Sequence, residues 1–174
     1  LYVLTAAAYA MSKPSPRRVV GRSVGAAPQL AVVVAAFTVS ALCSFSFGEV
    51  SYALLSSMLA IGRSETAILV AVVTAAGLLV SYALSWVADL GYEAQALYAT
   101  LAAAVSAPLI LPLRGLFPLV SYVLAIASQM SFKPLARRYL ATKSGSPGLA
   151  IGAVNAASNI GTCVGQVIVA LVLA

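Results

Sequence analysis

The chain has no histidine and only four acidic residues in 174: Glu49, Glu65, Asp89 and Glu93. Charged residues of both signs amount to 8%, where a soluble domain carries roughly 25% because its surface must face water. A water-facing globular surface is therefore excluded. Histidine, paired carboxylates and Ser–Lys or Cys–His arrangements at one membrane depth are all missing, so the expectation is a protein that is not an enzyme. Cysteine is scarce too. Cys43 and Cys163 sit in apolar sequence without metal-ligand spacing and read as packing residues, so no metal and no cofactor are expected. No stretch alternates polar and apolar over about ten residues, as the strands of a membrane barrel would.

What the chain has is apolar residues, 62% of it, with a mean hydropathy of +1.03. They fall into at most five complete spans, and Lys and Arg divide among the joints in a 4, 1, 0, 1, 4 pattern. Lys13, Arg17, Arg18 and Arg22 precede the first span, and Lys133, Arg137, Arg138 and Lys143 precede the last. Arg63 and Arg114 occupy the second and fourth joints. Alternate joints lie on one side of a bilayer, so eight positive charges collect on one side and two on the other. Insertion retains excess Lys and Arg in the cytoplasm, which makes the richer side cytoplasmic. The net charge of +6 is accounted for by topology, with anionic membrane lipids as partners and no nucleic acid. The expected class is an all-α polytopic membrane protein in the cell membrane.

Along the chain, Leu1–Ala10 is apolar but half the length of a span, and reads as the end of a transmembrane helix whose beginning is missing. Met11–Ala27, rich in Pro, Ser and Arg, is a basic cytoplasmic linker. A transmembrane bundle over 28–174 follows, with helices at about 28–61, 66–88, 94–113, 116–132 and 148–174. The first is too long. Its 34 positions would rise about 51 Å through a hydrocarbon core of about 30 Å. It is expected to bend or break near Ser46-Phe47-Gly48-Glu49. Lys133–Pro147 is expected to be a cytoplasmic loop, and Trp86 an interfacial anchor.

Two polar stripes carry the functional reading. Glu49 is the one ionisable residue well inside a span, and such groups face a cavity or a partner. Helical spacing sets Phe45, Glu49, Tyr52 and Ser56 on one line, the makings of a water-accessible path with an exchangeable proton. In the last span Asn155, Asn159, Thr162 and Gln166 fall within an arc of about 60°. Carboxamides seldom face lipid, so this stripe lines a cavity or bonds to a neighbouring helix. Gly161 and Gly165 lie on another face, with Gly148, Gly152 and Ala156 a further run of small residues; these suit close helix packing. Thr74, Gly77, Ser81 and Ser85, and likewise Tyr122 with Gln129, read mostly as packing.

A basic linker, a Ser85-Trp86-Val87-Ala88-Asp89-Leu90-Gly91 turn after the second span and a glycine-rich fifth span resemble the C-terminal half of a major facilitator superfamily transporter. The turn keeps the Asp of the family's cytoplasmic signature, with the Gly shifted and its basic residues replaced. The run from Pro147 to Gly165 is similar to the start of the family's eleventh helix, with Ser146-Pro147 where Arg is usual. The resemblance implies a six-helix half with its first helix partial and its last missing. It also implies secondary active transport of a small-molecule substrate by alternating access against the missing N-terminal half. Glu49, Tyr52, Ser56, Asn155, Asn159 and Gln166 become candidates for substrate contact or proton coupling, and Asp89 for a cytoplasmic gate. The competing readings are a drug/metabolite-type exporter and a non-transporting scaffold or accessory subunit in which Glu49 is structural.

Overall fold

The computed structural model describes residues 26–173. Leu1–Ala10 and nearly all of the basic linker, with Lys13, Arg17, Arg18 and Arg22, lie outside them. Among the described residues the chain is all-helical: α1 (Ala26–Leu42), α2 (Gly48–Leu59), α3 (Arg63–Asp89), α4 (Glu93–Ile110), α5 (Phe117–Lys143) and α6 (Pro147–Leu173). A short 3-10 turn, Ser44–Ser46, lies between α1 and α2. Three helices, Arg63–Asp89, Phe117–Lys143 and the Pro147–Val172 stretch of α6, are long and apolar enough to cross a membrane. α1, α2 and α4 are shorter, at 17, 12 and 18 residues.

α5 is the hub. Of its apolar stretch 61% is buried, against 11% for α3 and 22% for α6, so α3 and α6 present their apolar faces outward. Ile68, Val72, Leu79 and Trp86 on α3 and Val167, Leu171 and Val172 on α6 are each more than half exposed. An apolar surface so extensive needs lipid or a partner to cover it. α5 itself packs on α1, α3, α4 and α6.

The long first run is broken. α1 stops at Leu42, Phe47 is extended, and Gly48 adopts φ +57°, a left-handed conformation that favours glycine. Tyr122 of α5 packs against the break on both sides. Its ring meets Phe45 edge-on with centroids 5.2 Å apart, and its hydroxyl donates to the Ser51 carbonyl at 3.3 Å. Two short helices thus stand where one span over 28–61 was expected.

A second correction concerns the loop expected over Lys133–Pro147 and the helix expected to end at 132. Helix α5 continues to Lys143, so only Ser144–Ser146 connect it to α6. Leu135, Ala136 and Leu140 are buried at helical spacing with Phe132, and this apolar stripe holds the backbone helical through the charges. Pro134, inside the helix, removes one backbone donor without ending it.

Glycine sets the closest approaches. A Cβ on Gly161 would overlap the Phe37 carbonyl oxygen, and one on Gly165 the Ala41 carbonyl oxygen and the Ser44 hydroxyl, so α1 and α6 touch backbone to backbone. At Gly77 a Cβ would lie 2.7 Å from Ile126, which fixes α3 against α5. Gly148 and Gly152 have open space around them instead. Proline contributes as well. Pro108 has no N–H to offer the Ala104 carbonyl, and the Cys43 thiol donates to that oxygen at 3.9 Å.

Candidate functional site

The structure divides the two expected stripes among three places. Glu49 does not sit in the middle of a helix: the break makes it a first-turn residue of α2, where a carboxylate is favoured by the exposed N–H groups and the helix dipole. The same break takes Phe45 off the stripe and buries it against Tyr122. Glu49, Tyr52 and Ser56 do stay together. With Ala53, Arg63 and Thr66 they line an open hollow of about 460 Å³. Glu49 is exposed there, and the Ser56 hydroxyl donates to its own helix, to the Ala53 carbonyl at 3.1 Å.

The α6 stripe is also divided. Asn155 is a structural acceptor, since its carboxamide oxygen receives Arg137 Nη2 at 2.6 Å and Nε at 3.1 Å. Asn159, Thr162 and Gln166 face a different space, a hollow of about 590 Å³ shared with Gln129, Met130 and Lys133 of α5 and with Ser40, Phe47 and Gly48 around the break. Cys163 is on its wall and is exposed, so it is not the packing residue expected; Cys43 is buried.

This second hollow has an unusual chemistry. Both amide atoms of Gln129 are shut off from solvent and have no hydrogen-bond partner. Among the described residues, the side chains of Lys133, Asn159 and Gln166 also make no hydrogen bond or ion pair. Gln129 and Lys133 are one helical turn apart near the middle of α5; Asn159 is near the middle of α6 and Gln166 two turns further on. In lipid each unsatisfied polar group costs several kcal/mol. Water, a solute or another polar surface must occupy this space.

Asp89 closes a third cluster. Arg138 of α5 donates through Nη1 to Asp89, the last residue of α3, and its Nε forms an ion pair at 2.8 Å with Glu93, the first residue of α4. One guanidinium, hydrogen-bonded to Asp89 and ion-paired with Glu93, therefore ties the α3–α4 turn to α5, and puts that turn at the Arg138 end of the bundle. Arg63, at the start of the 27-residue helix α3, is about 40 Å away along its axis.

Sequence reasoning missed Lys133 as a wall residue because the helix was ended one position before it. It took Gln129 as packing, which left the mid-helix hollow without its α5 side. The signal was present in the buried period through Phe132, Ala136 and Leu140. Among the described residues no three His, Cys, Asp or Glu side chains gather to hold a metal ion. No protein family, curated protein or solved structure matches the chain.

Proposed function

We propose that the chain forms one helix bundle of a secondary active transporter, of the major facilitator type, that moves a small solute by alternating access. The observation that carries this reading is the hollow between α5 and α6, where Gln129, Lys133, Asn159 and Gln166 stand unpartnered near mid-helix. Polar groups at that depth are rare and mark substrate paths. A polar hollow near mid-helix, beside a broken helix, is the kind of site that alternating-access transporters build between two bundles. In this reading the protein is a multi-pass protein of the cell membrane with its Arg138 end in the cytoplasm. The Asp89–Arg138–Glu93 cluster is a cytoplasmic brace or gate, and Glu49 a coupling site in the neighbouring hollow.

The test uses the chain's own thiols. In membranes, Cys163 should react with N-ethylmaleimide at least tenfold faster than a cysteine placed on the lipid face (Ile168→Cys with Cys163→Ser), because thiolate forms only where water reaches. Buried Cys43 should stay unlabelled. The whole transporter, with both bundles, should take up solute in proteoliposomes, and labelling at Cys163 should block it. Equal reactivity at positions 163 and 168 would remove the hydrated path and the transport reading with it.

A further inference from the structure

The hollow between α5 and α6 has a charge sign, and that sign selects the solute. Lys133 is half-buried on its wall, and no carboxylate lines the same space. Each of the four acidic residues is placed elsewhere. Asp89 and Glu93 hold Arg138, Glu65 accepts the Gly62 N–H at 3.1 Å, and Glu49 lies in the adjoining hollow. Lys133 has no ion pair among the described residues and stands one helical turn, about 6 Å, inside Arg137 on α5. An ammonium held there is a standing cost unless something negative joins it. Around it Asn159 and Gln166 offer exposed amide N–H and C=O groups, and Thr162 uses its hydroxyl proton within α6, on the Ser158 carbonyl at 3.0 Å. The hollow can therefore hold one negative group on Lys133 and hydrogen-bond a polar remainder on the carboxamides.

We infer that the solute is a small organic anion, a carboxylate or phosphate ester, with Lys133 as its counter-charge and Asn159 and Gln166 as its polar contacts. This inference rests on the transport reading and narrows it to a substrate class. An alternative fate for Lys133, reaching toward the membrane surface, predicts no effect of its charge on solute binding, and the same experiment decides between them.

Cys163 is the reporter, since it lies in the wall and Cys43 is buried. The rate of its alkylation by N-ethylmaleimide would be followed on purified protein at constant ionic strength. Succinate, benzoate and glycerol phosphate serve as anionic probes, with glucose and tetraethylammonium as neutral and cationic ones. At least one anion should protect the thiol, and Lys133→Gln should raise the half-protecting concentration roughly tenfold or more, the usual effect of losing a charged hydrogen-bond partner. Lys133→Arg should retain part of the protection, and Lys143→Gln, outside the hollow, should retain all of it. Asn159→Asp, which puts a carboxylate into the same wall, is an independent variant and should also abolish protection by anions. The inference is overturned if none of the anions protects, or if only glucose or tetraethylammonium does. It is equally overturned if anion protection survives either Lys133→Gln or Asn159→Asp in folded protein. The two readings fail separately. Uptake of a neutral or cationic solute alone would leave transport standing without the anion. Anion protection without uptake would leave the anion site standing without transport.

Discussion

Replacing Gly165 by alanine isolates what holds α1 to α6. The added Cβ would fall 2.9 Å from the Ser44 Cβ, where ordinary contacts begin at 3.4 Å, and closer still to the Ala41 carbonyl oxygen and the Ser44 hydroxyl. The hydroxyl can rotate away, but the carbonyl belongs to the last turn of α1 and cannot. The two helices must separate, at a cost of about 1–3 kcal/mol for overpacking. Alanine recovers up to about 1 kcal/mol of helix propensity, which leaves a net loss of up to about 2 kcal/mol. Gly152→Ala on the same helix is the reference, because nothing lies within 4 Å of its Cβ. That variant gains the propensity without the clash. The gap between the two should be about 1–3 kcal/mol, or several degrees in melting temperature at roughly 2–4 °C per kcal/mol for a chain of this size. Gly161→Ala should behave like Gly165→Ala, with Phe37 Cα and C both 3.1 Å from its Cβ. Thermal unfolding of the three purified variants in one detergent reads the difference. A Gly165→Ala protein that melts as high as Gly152→Ala would show that the glycines do not set the spacing of α1 and α6.

The remaining predictions concern the break, the acid and the orientation. Gly48→Ala forces a left-handed residue with a side chain and should lower stability by about 1–2 kcal/mol in the same melt; no loss would show that the break is not held in that conformation. Tyr122→Phe removes the donor to the Ser51 carbonyl and should cost about 0.5–1.5 kcal/mol, which an unchanged melting temperature would contradict. Glu49→Gln should leave expression intact and stability within about 1 kcal/mol, as expected of an exposed first-turn carboxylate, while pH-dependent uptake falls; unchanged pH-dependent uptake would remove Glu49 from the mechanism. Single cysteines at 18, 63, 114 and 138, in a background without Cys43 and Cys163, should label from outside intact cells at 63 and 114 alone. External labelling at 138 reverses the orientation.

The sequence shows some of this architecture plainly and hides the rest for physical reasons. The break near Gly48 is legible because an apolar run of that length cannot fit a bilayer as one straight helix, and Ser-Phe-Gly-Glu is its weakest stretch. The contact faces of Gly161 and Gly165 are legible because glycine four residues apart leaves a groove that only a backbone fills. The end of α5 is not, because charge and burial compete there: Lys133, Arg137 and Arg138 suggest a solvated loop, whereas Phe132, Ala136 and Leu140 need a helix to be buried together. The place of Glu49 follows from the same difficulty. Spacing rules put Phe45 and Glu49 on one line only if the helix is continuous, and the break rotates one away from the other. Asn155 and Asn159 illustrate a further limit. They are one turn apart on a single stripe, yet Arg137 takes the first and leaves the second to the hollow, a division set by a partner 18 positions earlier in the chain.

The glycine contact and the polar hollow are mechanically linked. Gly165 presses on Ala41 and Ser44, at the point where α1 gives way to the 3-10 turn, and the hollow begins just beyond that turn at Phe47 and Gly48. Asn159, Thr162 and Gln166 flank the same stretch of α6 on a face turned about 110° from the glycines. Any separation of α1 from α6 therefore also shifts the wall that carries Ser40, Phe47 and Gly48 relative to the one that carries Asn159 and Gln166. Gly165→Ala should consequently change the alkylation rate of Cys163 as well as the melting temperature, although the substituted residue does not line the hollow. Gly77→Ala, which loosens α3 from α5 at Ile126, should lower stability and leave Cys163 unaffected, because neither α3 nor Ile126 borders that space. Equal effects of the two variants on Cys163 would mean that the bundle responds as a whole and that the glycine contact has no privileged hold on the site.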